Sequence, residues 1–157
     1  SEIRYDLFLD EKGYLDNSSE KYLTELIVKH TSGRLKVAPE HTQECVLKQM
    51  NKPSFKLFET LKREFDKIVK RNRVNCVLVP YFISSHPGCS MKEMQLLSEN
   101  KVLKGVYMDQ VQDFTPTPMT KSSVSFYTGL DPKTLSPVFV EHDLKKKKAQ
   151  KSYFFKK

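Results

Sequence analysis

The chain has 157 residues, enough for about one domain, and no apolar run approaches the roughly 20 residues that a membrane-spanning helix needs. Hydrophobic residues make up 38% and charged residues 29%, a balance typical of globular proteins rather than disordered or fibrous ones. The start carries neither an initiator Met nor the pattern of a signal peptide, so we expect a processed chain or a piece of a longer protein.

The net charge of +8 is concentrated at one end of the chain. Residues 144–157 hold seven Lys and no acid, whereas 20 basic residues face 19 acidic ones in the remainder. The pattern disfavours nucleic-acid binding except through this basic tail. Cysteines stand at 45, 76 and 89, an odd number at wide spacing, and we expect reduced thiols in a cytoplasmic protein with no membrane contact.

The first half of the chain predicts two strands and three helices in alternation. Residues 3–9 are rich in β-branched and aromatic residues and predict a strand, and the Asn17–Glu20 spacing predicts a capped helix. The run 35–38 predicts a short strand that stops at Pro39. Helical turns over 43–50 and a long amphipathic helix capped by Ser54 follow.

The second half begins with a near-continuous apolar run over 74–83, which is typical of a strand buried on both faces in a parallel sheet. Pro80 predicts a bulge or an interrupted ladder there. Ser90 and Glu93 have capping-box spacing. The order of predicted elements ends with a strand over 106–115, a short helix over 121–128 and a helical tail from 141.

This alternation predicts an α/β protein with four parallel strands joined by right-handed βαβ units, which is half of a (β/α)8 barrel or a small open sheet. Ligands bind at the carboxyl ends of such strands. Polar residues stand there at 40–42, 84–89 and 112–115. The plainer interpretation of Glu40 and His41 is an ordinary helix N-terminus, where acidic residues complement the helix dipole.

Two further interpretations of the loop at 84–89 are weaker. His86 and Cys89 have a spacing found in metal sites, but zinc needs a second pair of ligands, so we expect no metal. Ser84 and Ser85 beside His86 suggest a nucleophile, but neighbours on a loop rarely have triad geometry and the G-x-S-x-G motif is absent. The catalytic residues stay unknown.

Several long strings together resemble one family. These segments are LKVAPEHTQECVLKQMNKPSF, LVPYFISSHPGCSMKEM, VQDFTPTPMT and YTGLDP. They are similar, in order and spacing, to segments of the YgiQ-type radical S-adenosylmethionine (SAM) proteins, which are large bacterial proteins. The resemblance implies that residues 1–140 are the C-terminal half of a TIM-like radical SAM barrel, with strands three to six. It implies that residues 141–157 are a truncated extension beyond the barrel.

The resemblance also implies the cofactors SAM and a [4Fe–4S] cluster in the complete protein. Such enzymes hold the cluster on a CxxxCxxC loop and cleave SAM into methionine and a 5′-deoxyadenosyl radical, which abstracts hydrogen from the substrate. That loop is absent here, because the three cysteines lie 31 and 13 residues apart. We therefore expect a fragment that is inactive alone, acts on an unknown substrate when complete, and lacks the N-terminal half of the core.

The family roles transfer to particular positions. Glu40, His41 and Thr42 correspond to residues that reach the methionyl and ribose parts of SAM. The family's residues that lie near the adenosine correspond here to Ser84, Ser85, His86 and Gly88. Those that lie near the adenine correspond to Gln112, Phe114 and Thr115.

The alternative function is a small α/β binding module whose lysine-rich tail binds RNA or an acidic partner, and a third is a scaffold protein. A half barrel also exposes sheet edges and an inner face. We therefore expect self-association through the 3–9 edge or that face, unless Tyr153, Phe154 and Phe155 cover it.

Overall fold

The computed structural model describes residues 4–10, 12–109 and 111–154 and shows an α/β fold built on a parallel sheet. The sheet has the order β1-β2-β3, with β1 at Arg34–Glu40, β2 at Val77–Ser84 and β3 at Val111–Asp113. Six α-helices surround it among the described residues: α1 Asn17–Lys29, α2 Glu44–Met50, α3 Phe55–Asn72, α4 Met91–Ser98, α5 Lys121–Thr128 and α6 Leu144–Ser152. Short 3-10 turns lie at Tyr5–Leu7 and Lys101–Leu103.

The strand expected over 3–9 is wrong for the part that the structure describes. Tyr5–Leu7 forms a 3-10 turn, and Leu9 makes an isolated antiparallel bridge to Leu15; residue 3 lies outside the described residues. Tyr5 is buried and meets Phe58 of α3 edge to face, with ring centroids 6.2 Å apart. Burying this ring against α3 outweighs the strand propensity of the segment, so the described sheet has three strands rather than four.

Both pairings in the sheet are parallel, as the sequence predicts. The expected stop at Pro39 is wrong, because β1 continues through Pro39 to Glu40. The irregularity expected at Pro80 is confirmed: Pro80 pairs with Val37, and the register shifts between Val37 and Glu40. The extra residue lies on β1, between Val37 and Glu40. This stretch contains Pro39, whose missing N–H cannot join a regular ladder.

The last strand is shorter than the expected 106–115, because β3 covers Val111–Asp113 alone and pairs with Phe82–Ser84. The segment before it instead contacts side chains of β1. The Arg34 guanidinium lies 5.2 Å from the centroid of the Tyr107 ring, and Lys36 Nζ lies 3.5 Å from an Asp109 carboxylate oxygen. These contacts replace a longer ladder.

The helix caps follow the sequence closely. Ser54 caps α3, and both halves of the Ser90–Glu93 capping box are present at α4. The α1 cap differs by one residue: the Asp16 carboxylate, not Asn17, accepts the Ser19 N–H at 2.6 Å. A carboxylate at this position also complements the helix dipole, which explains the choice between two good capping residues.

The lysine-rich helix α6 packs on the sheet instead of projecting from it. Phe82 of β2 is fully buried and stacks on Phe154 just beyond α6, with centroids 5.8 Å apart. Gln150 of α6 is also fully buried. Among the described residues, no helix is both long enough and apolar enough to cross a membrane.

Candidate functional site

Two neighbouring strands end in the same unusual backbone conformation. Glu40 at the end of β1 has φ +66°, and Ser85 just after β2 has φ +59°. The left-handed region costs a residue with a side chain about 1–2 kcal/mol, and strain of this kind clusters at binding and catalytic sites. The strained residues therefore indicate a candidate site at the carboxyl edge of the sheet.

A cleft of about 720 Å³ lies at this edge. Strand ends form one wall, the end of α2 a second, and the start of α5 a third. Five of the ten predicted site residues line it: Glu40, His86, Gln112, Phe114 and Thr115. The cleft is also lined by Gln49, Met50, Lys52, Ile83, Asp113, Thr120, Lys121 and Ser122.

The other five predicted residues do not line the cleft. Ser84 Oγ donates to Asp113 Oδ1 at 2.7 Å, and Thr42 Oγ1 accepts from Gln43 Nε2 at 3.2 Å. Ser85 N and Oγ both donate to Gln150 Oε1, at 3.0 and 3.3 Å. Gly88 has φ +86°, and its N–H donates to a main-chain carbonyl at 2.8 Å. The contacts of Ser85 and Gly88 hold the loop after β2 in place.

His41, the fifth of them, is fully buried beside Cys89. Its Nδ1 accepts the Gln43 N–H at 3.0 Å, so the neutral ring carries its proton on Nε2, which lies 3.5 Å from Cys89 Sγ. Burial lowers the pKa of His41 to about 3 and raises the pKa of Cys89 to about 12. Both groups are neutral at pH 7, so this pair is structural and offers no thiolate nucleophile.

His86 has the opposite tautomer. Its Nδ1 lies 2.8 Å from the Pro87 carbonyl oxygen, which can only accept, so Nδ1 carries the proton. Nε2 is then free to accept the Ser122 hydroxyl at 2.8 Å. Burial lowers the pKa of His86 to about 4 and keeps the ring neutral at pH 7. Phe114 meets the ring edge to face at 4.8 Å.

Sequence reasoning missed Ser122, which lies 36 residues from His86. The helix that carries it was predicted over its full length, 121–128. No sequence pattern indicates that the first turn of this helix faces the loop after β2.

Charged side chains in the cleft are paired. Lys52 Nζ lies 2.9 Å from Glu40 Oε1, and Lys121 Nζ lies 2.8 Å from an Asp131 carboxylate oxygen. The bond from Lys121 is the main reason that the pKa of Asp131 falls well below its usual range. One buried acceptor, Gln49 Oε1, has no hydrogen-bond partner within the described part of the chain.

The described residues do not fit an iron–sulfur cluster. Cys45 is exposed, Cys76 and Cys89 are buried, and the described ranges contain no group of three or more His, Cys, Asp or Glu side chains placed to hold a metal ion.

Gln150 gives a first test of how the loop after β2 is held. Gln150→Leu leaves the Ser85 N–H and the Cys89 carbonyl without their partner, because Gln150 Nε2 donates to that carbonyl at 3.3 Å. We expect urea denaturation to show an unfolding free energy lower by about 1–3 kcal/mol. Lys148→Ala, at an exposed position of the same helix, is the matched control and should change it by less than about 0.5 kcal/mol. Equal losses in both variants would contradict the assigned bonds.

The chain is an α/β protein with a cleft at the carboxyl edge of a parallel sheet. The chain is 48% identical over 157 residues to a UPF0313 protein of Bacteroides thetaiotaomicron, covering 99% of this chain and 25% of that protein. It is 42% identical over 160 residues to a UPF0313 protein of Porphyromonas gingivalis, covering 99% and 25% of the two chains. A UPF0313 protein of Methanosarcina acetivorans is 42% identical over 150 residues, covering 96% of this chain and 19% of that protein.

The similarity thus extends over nearly the whole chain and reaches an archaeon, beyond the bacteria that the sequence resemblance implied. The chain spans a quarter or less of the length of these relatives. No family model matches the chain. No solved structure matches it either.

Proposed function

We propose that the chain is part of a YgiQ-type radical SAM enzyme with an unknown substrate, and that its cleft forms part of the wall that binds SAM. The observation that carries this proposal is the position of Glu40 and His86. They come from the carboxyl ends of neighbouring parallel strands and line one cleft. This is the edge at which parallel α/β folds bind ligands.

The chemistry of the cleft fits the parts of SAM. Glu40 and Lys52 offer a carboxylate and an ammonium group, which complement the ammonium and carboxylate of a methionyl group. Met50, Ile83 and Phe114 provide apolar surface for a nucleobase. When bound, SAM would supply a 5′-deoxyadenosyl group for hydrogen abstraction. The residues of this chain would bind and orient it and exclude water from it.

The chain alone is proposed to bind SAM without cleaving it, because its described cysteines do not converge on one metal site. The cluster ligands and the rest of the barrel core are assigned to the portion of the longer protein outside this chain. Self-association through the inner face of the sheet, or coverage of that face by the tail, stays a prediction. The 3–9 edge is not available as a strand edge among the described residues, because Tyr5–Leu7 is a 3-10 turn. Of the tail's aromatic residues, Phe154 stacks on Phe82 of β2, and Phe155 lies outside the described residues.

Calorimetric titration with S-adenosylhomocysteine tests the proposal, since this analogue keeps the nucleoside and the amino-acid end. We expect saturable binding, and Glu40→Gln should weaken it about tenfold because a charge-assisted contact is lost. Glu59→Gln, at an exposed position on α3, is the matched control and should leave the affinity unchanged. Absence of binding to the chain and to the full-length protein would contradict the proposal.

A second proposed function is supported by α6. Its Lys145, Lys146 and Lys148 side chains are exposed, and they form a basic surface suited to RNA or an acidic protein. If this surface is functional, binding of oligo-U RNA or polyglutamate should weaken at least tenfold between about 50 and 200 mM salt. Replacing the three lysines by Gln should abolish it, whereas binding of S-adenosylhomocysteine should be little affected. Salt-independent binding of either polymer would contradict this second function.

A further inference from the structure

The His86–Ser122 contact has the arrangement of a nucleophile with its base. The Ser122 hydroxyl is the donor in a 2.8 Å bond, because His86 Nε2 carries no proton in this tautomer. The other ring nitrogen is fixed by the Pro87 carbonyl at 2.8 Å, which performs the orienting role of a third group. The ring is 3% exposed, whereas Ser122 is half-buried and lines the cleft.

The position of Ser122 in α5 adds a second feature. Thr120 caps this eight-residue helix, so Ser122 lies in its first turn. Thr120 Oγ1 accepts the Ser123 N–H, but within the described ranges no acceptor bonds to the N–H of Lys121 or Ser122. Free N–H groups at a helix start favour negative charge beside them, as a developing oxyanion requires.

We propose that Ser122 is a nucleophile for an acyl ester or thioester bound in the cleft, with His86 as its general base. Ser122 Oγ forms a bond to the carbonyl carbon, and the hydroxyl proton passes to His86 Nε2. The bond between that carbon and the leaving oxygen or sulfur then breaks, and the leaving group takes the proton from His86. Water attacks the resulting ester by the same route and regenerates Ser122. The inference is independent of SAM.

Burial and the charged groups around His86 determine how its protonation, and so its action as the base for Ser122, depends on pH. Burial of His86 holds its pKa at about 4, with the Pro87 carbonyl acting in the opposite direction. A charge on His86 would disfavour a charge on the neighbouring His41 ring. The charged groups on the surrounding walls of the cleft are Glu40, Lys52, Asp113 and Lys121. The base is therefore available at pH 6, where an ordinary histidine of pKa near 6.5 would be about three-quarters protonated.

Labelling with phenylmethylsulfonyl fluoride tests the proposal on the chain as it is. The Ser122 oxygen would form a bond to sulfur, fluoride would leave, and the proton would pass through His86 to solvent. We expect a single sulfonyl adduct, located by peptide mass spectrometry at Ser122. After correction for reagent hydrolysis, its rate should be equal at pH 6 and pH 8. His86→Gln should slow labelling about a hundredfold, at the lower end of general-base effects because the base is weak.

Ser122→Ala should abolish the adduct, and Ser136→Ala, at an exposed position, is the matched control. If His86→Gln does not fold, the two pH values measured on the natural chain carry the test. An adduct spread over exposed serines, a fourfold loss of rate at pH 6, or equal labelling in a folded His86→Gln variant would each overturn the proposal.

Discussion

Phe82→Ala should lower the free energy of unfolding by about 3–5 kcal/mol, the range for deleting a fully buried aromatic side chain. Phe82 is 0% exposed, lies in the central strand, and stacks on Phe154. The substitution leaves a cavity between the sheet and the segment that follows α6. Because whole domains are stable by about 5–15 kcal/mol, this single change should remove a large fraction of the stability.

Urea denaturation followed by circular dichroism measures this effect. Phe139→Ala is the matched control, because that ring is 50% exposed, and it should cost less than about 1 kcal/mol. If Phe82→Ala costs no more than Phe139→Ala, the packing of α6 on β2 is wrong. If both cost more than about 3 kcal/mol, the exposed position assigned to Phe139 is wrong.

Acidification from pH 7 to pH 5 should destabilise the fold by about 4 kcal/mol in total. Burial holds the pKa of His41 at about 3 and that of His86 at about 4, whereas both are near 6.5 in an unfolded chain. Below pH 6.5 the unfolded state therefore takes up protons that the folded state does not. Stability is fully present above pH 6.5 and falls with pH, by about 2 kcal/mol for each ring at pH 5.

Unfolding free energies of the natural chain at pH 7 and pH 5 measure this fall. His86→Gln should reduce it by about half, and His30→Gln, at an exposed position after α1, is the matched control. Carboxylates with lowered pKa, such as Glu93, destabilise in the same direction but below this window. A fall of less than about 1 kcal/mol in the natural chain would contradict the burial of both rings.

Local patterns predicted those parts of the fold that local interactions determine. Ser54 and the Ser90–Glu93 pair cap their helices as expected, and the apolar run at 74–83 contains a central parallel strand. The strand predicted over 3–9 was wrong because burial of Tyr5 against Phe58 determines the conformation of this segment. That contact depends on tertiary packing, and strand propensity carries no information about it.

The candidate site was likewise predicted in part from local sequence, and the rest of it depends on tertiary packing. The rule that ligands bind at strand carboxyl ends led to Glu40 and His86, which line one cleft. It could not separate residues that face the cleft from residues such as Ser85, which faces Gln150. Contacts between residues 36 and 65 positions apart, His86–Ser122 and Ser85–Gln150, depend on how α5 and α6 return to the sheet.

Chemical-shift mapping with the ¹⁵N-labelled chain and S-adenosylhomocysteine tests the central claim most directly. We predict that the largest amide shifts occur at Glu40, Lys52, His86 and residues 112–115, which line the cleft. The groove lined by Thr24, Val28 and Arg71 should show none. Shifts concentrated in that groove or along α6, or no shifts at millimolar ligand, would contradict a SAM-binding wall at this edge of the sheet.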